Sequence, residues 1–304
     1  SEAGKGGTTS APFSSGVYNT AIGYEALKRF TSGQNNTALG KGALAYVTTG
    51  GSNIGIGYQA GGNTTTATGN IYIGRSTGNN NNSGIENVCV GEYNYAHPAG
   101  IVNFRNVTTL GSNAGRYATG SYNTFLGSYA GEGNSSAPHS SGQYNTAIGH
   151  EALKGFTTGE SNVAVGREAG HDITTGTGNT LVGNAAGDKI TTAEYNVALG
   201  AGALGAMAAD ADDNTAIGAF AAALLNNTAA IENVAIGAYA GTGGSGALKR
   251  SIAIGKNALN STGTADVEGA VAIGYNALTA ANHTQAGHSI AIGFGKTPAS
   301  IDNE

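Results

Sequence analysis

The chain has 304 residues, of which 52 are glycine and only one is cysteine, and its net charge is −5. An acidic balance without a basic patch argues against a nucleic-acid partner, one cysteine excludes an intrachain disulfide, and no apolar run approaches the roughly 18 residues of a membrane-spanning helix. So much glycine and so little charge would suit a disordered chain, but the apolar residues recur at fixed places.

After an N-terminal segment, residues 1–17, a five-residue phrase of the form Asn-x-Ala-Ile-Gly begins and returns about sixteen times through residue 294. Its first forms are Asn19 to Gly23, Asn36 to Gly40, Asn53 to Gly57, Asn70 to Gly74 and Asn87 to Gly91, a period of 17 residues. The phrase ending at Gly111 has lost its Asn. The period resumes with Asn145 to Gly149 and Asn162 to Gly166, and later steps stretch to 18 or 19. Such self-similarity marks a solenoid, and the period is too short for a helix-turn-helix unit. Asn19, Asn36, Asn145, Gly23, Gly40, Gly57, Gly149 and Gly166 are therefore read as structural repeat residues.

Within each phrase the second and fourth positions are β-branched or aliphatic, as in Thr20 and Ile22 or Val88 and Val90, which is the alternation of a strand. The third is usually Ala: Ala21, Ala38, Ala147, Ala164. Both faces of the strand are thus apolar, and both are expected to be buried, one in the coil and one in an association seam. The closing Gly marks a corner that needs positive φ or has no room for Cβ. Segments 24–30 and 150–156 have some helical propensity, but the strands recur too soon for a useful helix, and turns are expected there. The fold class expected is all-β, a parallel β-solenoid of about sixteen coils.

A second level of duplication relates residues 10–23 to 136–149 at an offset of 126, so a block of about seven coils has been copied. The pattern breaks at 92–106 and 131–143, with smaller insertions later. Insertions in a solenoid map to surface loops, often on the binding face. Tyr93, Tyr95, His97, Phe104 and Arg105 form the best cluster for contacting a glycan or protein receptor; alternatively the aromatics pin the loop against the rod. Cys89, at a third position, is expected to be a buried filler. Residues 295–304 read as a short tail.

Little else suggests chemistry. Gly55 to Gly61 resembles a nucleotide-binding glycine pattern but belongs to the repeat, and Gly243 to Ser251 lacks the ending of a phosphate loop. Asp210, Asp212 and Asn214 have calcium-loop spacing without the later ligands. The six histidines have no metal-ligand spacing, and no catalytic constellation stands out. No enzyme activity, cofactor or metal is expected.

The stretches Asn19-Thr-Ala-Ile-Gly-Tyr-Glu-Ala-Leu27 and Thr31-Ser-Gly-Gln-Asn-Asn-Thr-Ala-Leu-Gly40 resemble the repeats of phage tail-fibre and tailspike proteins. Ser251-Ile-Ala-Ile-Gly-Lys-Asn-Ala-Leu259 and Ala270-Val-Ala-Ile-Gly-Tyr-Asn-Ala-Leu278 resemble the head repeats of trimeric autotransporter adhesins. The resemblance covers residues 18–294 and implies a left-handed β-roll, three of which pack side by side as a homotrimer. The 17-residue period and the long inserts depart from the adhesin pattern. The function implied is that of a structural and host-attachment part of a phage fibre or spike, located on the virion beside other virion proteins. The alternatives are an adhesin head on a bacterial surface and a virion decoration that binds nothing. No membrane insertion is expected.

Overall fold

A computed structural model describes residues 2–6, 14–95, 103–136, 139–206, 211–223, 230–242, 246–260, 266–279 and 288–295. The chain divides into two compact units, residues 1–151 with 156–158 and residues 152–155 with 159–304. Both are parallel β-solenoids, and no helix occurs among the described residues.

In the first unit each phrase forms a three-residue strand: β1 (Thr20–Ile22), β2 (Thr37–Leu39), β3 (Ile54–Ile56), β4 (Ile71–Ile73), β5 (Val88–Val90), β6 (Thr108–Leu110), β7 (Thr124–Leu126) and β8 (Thr146–Ile148). They pair in parallel and in chain order, with identical repeat positions in register, so that Ala21 faces Ala38 and Tyr72 faces Cys89. The second unit repeats the scheme with β9 (Val163–Val165), β10 (Thr180–Val182), β11 (Val197–Leu199), β12 (Thr215–Ile217), β13 (Val234–Ile236), β15 (Ile252–Ile254), β17 (Val271–Ile273) and β18 (Ile290–Ile292). Two extra strands, β14 (Leu248–Lys249) and β16 (Val267–Glu268), pair with each other. They arise from late insertions expected to be surface loops. Instead they stack in register, and Leu248 and Val267 are buried.

Segments 24–30 and 150–156 are turns. Ala26 N–H donates to Gly23 O at 3.3 Å with Glu25 at φ +58°, and Ala45 N–H donates to Gly42 O at 3.3 Å with Leu44 at φ +48°. Positive φ at the third turn residue is the type II pattern. Such left-handed positions cost about 1 kcal/mol or more each for non-glycine residues, so the inter-coil hydrogen bonds must hold them. The closing glycines are more extreme, with φ from +125° to +142° at every phrase from Gly23 to Gly293.

The strand residues settle which face is the core. The third position points inward: Ala38, Tyr72, Cys89, Phe125, Ala147, Ala164 and Leu181 are fully buried. The second and fourth positions point outward, so the expectation that both faces are buried fails for the single chain. The third positions belong to the coil interior and not to a seam between chains.

The interior is filled by a volume exchange. In six coils where the strand residue is Ala (Ala21, Ala38, Ala147, Ala198, Ala253, Ala272), the residue four after the closing Gly is Leu: Leu27, Leu44, Leu153, Leu204, Leu259, Leu278; the coils of Gly55, Ala164, Ala216 and Ala235 have Gly or Ala there instead. Where it is large (Tyr72, Phe125, Leu181), that residue is Gly78, Gly131 or Gly187. A Cβ on Gly131 would lie 2.6 Å from the Phe125 ring. Bulk at the third position is therefore tolerated where glycine answers it. Phe125→Ala should cost about 3–5 kcal/mol, and Gly131→Leu about 1–3 kcal/mol. The double variant recreates the Ala147–Leu153 arrangement, and Leu153 has φ +49° against +54° at Gly131. It should recover about 1–3 kcal/mol of the summed loss in a urea-denaturation cycle; simple additivity would refute the exchange.

Cys89 is a buried free thiol. Burial pushes its thiol up to about 12. Native protein should resist iodoacetamide at pH 8 and react only as it unfolds; fast native labelling would place the side chain outside.

Candidate binding surface

Three surfaces bear on function: the outward face of the main strands, the insert around residue 95, and a strip of aromatic and cationic side chains.

The repeat residues frame the outward face. The phrase Asn residues form a ladder, in which Asn19 is half-buried and those from Asn36 onward are buried. Asn36 donates its backbone N–H to Asn19 Oδ1 at 2.9 Å, and its Nδ2 donates to Asn19 Oδ1 at 3.1 Å and to Gly50 O at 3.0 Å. Asn53, Asn70 and Asn87 repeat this, and Asn162 to Asn233 repeat it in the second unit. Asn145 donates its backbone N–H to Asn123 Oδ1 at 2.9 Å. Buried polar groups need such partners, so the Asn holds the corner preceding each strand. Gly23, Gly40, Gly57 and Gly166 hold the corner after it, where a Cβ would strike the glycine of the next coil. Gly149 shares their positive φ, at +134°.

Between these corners the outward positions of each unit form two columns. One holds only Thr, Val and Ile, the other only Ile, Leu and Val, and no position in either is charged. Ile22 is 59% exposed, Leu110 53% and Leu199 48%. Contiguous apolar exposure of this kind marks an association surface.

In the insert at 92–106, two of the rings expected to contact a partner turn inward and pin the segment against the coil. Tyr95 and Phe104 are fully buried, with ring centroids 4.4 Å apart, and Tyr95 also stacks on Phe125 at 6.2 Å. They cannot project toward a partner. Tyr95 lies four residues after Gly91, which is the interior Leu position of other coils. The departure from the repeat therefore begins after it, a signal present in the sequence spacing. Its phenol also serves where the phrase has Val107 instead of Asn. Tyr95 OH donates to Gly120 O at 3.1 Å and accepts from Asn123 Nδ2 at 3.4 Å. Burial raises the Tyr95 phenol well above the ordinary tyrosine range. His97 lies outside the described residues. Arg105 is exposed, and its backbone N–H donates to Ser121 Oγ at 3.2 Å. In the second insert, His139 stacks on Tyr117 with centroids 6.5 Å apart.

Tyr93 stays at the surface, between two guanidinium groups. Arg75 Cζ lies 5.1 Å and Arg116 Cζ 5.4 Å from its ring centroid. Nearby coils add Lys41, whose Nζ is 5.8 Å from the Tyr24 centroid and 5.9 Å from that of Tyr58. Sequence reasoning singled out Tyr93 but missed Tyr24, Lys41 and Tyr58, because these lie inside regular coils.

No group of three His, Cys, Asp or Glu side chains that could hold a metal exists among the described residues. Asp210 lies outside them, and the Asp212 carboxylate is engaged by Glu194 N–H at 2.7 Å. No helix is long and apolar enough to cross a membrane among the described residues. No protein-family model matches this chain, and no curated protein matches it.

Proposed function

We propose that this chain forms the rod of a phage fibre or spike, a left-handed β-roll whose outward apolar face is covered by two further copies of itself in a side-by-side trimer, and that the rod attaches the particle to its host. The observation that supports this is the pair of uncharged columns on the outward face of the strands. Their occupant must be apolar and equally regular along the coil stack, which another copy of the same sheet supplies and a globular partner does not. Burying such columns contributes about 25 cal/mol per Å² of apolar surface. The repeat itself offers equivalent surfaces at every coil, so recognition falls where side chains change along the surface.

Leu199→Glu places a carboxylate in the seam next to its own symmetry copies. It should reduce the assembly to monomers in size-exclusion chromatography with light scattering while the far-ultraviolet dichroism is unchanged. An unaltered mass would remove the face from the interface. For attachment, beads coated with the assembly should adhere to some members of a panel of bacterial strains. Adhesion to none would favour a purely structural rod.

A further inference from the structure

The exposed side chains of Tyr24, Arg29, Lys41, Tyr46 and Tyr58 in the first unit are not needed by the fold. The internal duplication supplies the control, because coils 126 residues apart share their Asn, Gly and Ala positions. At that offset Tyr24 becomes His150, Lys41 becomes Arg167 and Tyr58 becomes Asn184, while Arg29 and Tyr46 become Gly155 and Asp172. The second copy makes the same strands without the ladder. Its Arg167 is turned to Glu168, at 2.7 Å. Lys41 has no carboxylate within ion-pairing distance among the described residues and lies between two tyrosine rings instead. Arg116 likewise lies over Tyr93 and Tyr117 and reaches only the Asn113 amide oxygen, at 3.3 Å. Arg29 lies 4.4 Å from the Tyr46 ring centroid. In a chain of net charge −5, all the cation–π pairs among the described residues thus fall in one unit, on Arg29, Lys41 and Arg116, which have no carboxylate within ion-pairing distance there, and on Arg75, which pairs with Glu92 at 3.2 Å.

We infer that two cation–aromatic groups of the first unit, Tyr24–Lys41–Tyr58 and Arg75–Tyr93–Arg116, bind a linear acidic polysaccharide laid along the coil stack, the intervening Glu92 carboxylate being neutralised by Arg75 at 3.2 Å. Tyr24 and Tyr58 are half exposed, and successive coils bring phenol, ammonium and phenol past the surface in steps of about 4.8 Å. A pyranose ring is about as long as one such step, so an extended chain can place hydroxyls against the phenols and a carboxylate or sulfate against Lys41. Partial stacking on the rings holds the cations in place before the ligand arrives, which lowers the ordering cost of binding. A nucleic acid fits less well, since a few cations neutralise few phosphates. The inference rests on the attachment reading but not on the trimer.

The test is biolayer interferometry of the full chain against polygalacturonate, heparin, neutral dextran and a single-stranded oligonucleotide at low salt. Binding to polygalacturonate or to heparin is expected, weakening as salt rises, and the preferred one tells carboxylate from sulfate recognition. Lys41→Gln combined with Arg116→Gln should weaken it about tenfold or more, whereas Arg167→Gln and the charge-keeping Lys41→Arg should leave it within about twofold. Tyr24→Ala with Tyr58→Ala should weaken it as well. Unchanged dichroism and light-scattering mass in each variant show that the loss is not unfolding and keep this result separate from the assembly reading. Absence of binding to both acidic glycans, equal binding to dextran, tighter binding to the oligonucleotide, or an equal loss in Arg167→Gln would each overturn the inference.

Discussion

Gly40→Val should be among the most damaging single substitutions in the chain. Gly40 has φ +130°, and a Cβ there would lie 2.5 Å from Gly57 O and 2.8 Å from Gly57 C. Both obstacles are backbone, so no side chain can move to make room. Conformational strain of about 1–3 kcal/mol adds to overpacking of similar size, for a total of about 3–5 kcal/mol. Two residues on, Gly42 provides the contrast. Its φ is +69°, and the nearest atom to a Cβ would be Gln59 Cγ at 3.4 Å. The equivalent position in the first coil is Glu25 at φ +58°. Gly42→Ala should therefore cost less than about 1 kcal/mol, since a left-handed site is already tolerated by other residues here. Urea melts of the two variants check this; equal losses would mean that glycine at the corner is not required by its geometry.

The second large effect belongs to the Asn ladder. Asn179 Oδ1 accepts the Asn196 backbone N–H at 3.0 Å, and its Nδ2 donates to Ala193 O at 2.8 Å. Asn179→Leu leaves both backbone groups buried without partners, at about 1–3 kcal/mol each. Asn179→Ser should be milder, because a hydroxyl can still accept from the following coil. Ser251 Oγ already does so, accepting Ala270 N–H at 3.2 Å. Chemical denaturation should rank wild type above Ser and Ser above Leu. If Leu and Ser were equally destabilising, the ladder would not be the source of the effect.

Much of this architecture is legible in the chain. The closing glycines give the coil length, and the three residues before each of them form the strand. What alternation could not tell is which side of that strand faces in. Thr20, Ala21 and Ile22 are compatible with either choice until the volume exchange between Ala21 and Leu27 is recognised. The Asn was visible as part of the repeat, but its work is carried by bonds to residues 14 and 17 positions away, such as Gly50 and Asn53, and these follow only from the stacking. Tyr95 and Phe104 misled for a related reason. Next to an irregular segment, an aromatic ring looks available for binding, yet both occupy interior positions of the coil. The cation–aromatic strip was hidden by its regularity: Lys41 and Tyr58 sit where the repeat allows any residue, and their contacts exist only between coils.

In the proposed trimer the uncharged columns of β1 to β8 and of the second unit are covered by two further copies of the chain. Sedimentation equilibrium of the intact protein at neutral pH measures this directly. With a chain mass of 29.9 kDa, the trimer predicts a single species of three times that mass, unchanged on dilution into the nanomolar range. A single species of 29.9 kDa would contradict it and leave the outward face to a different partner.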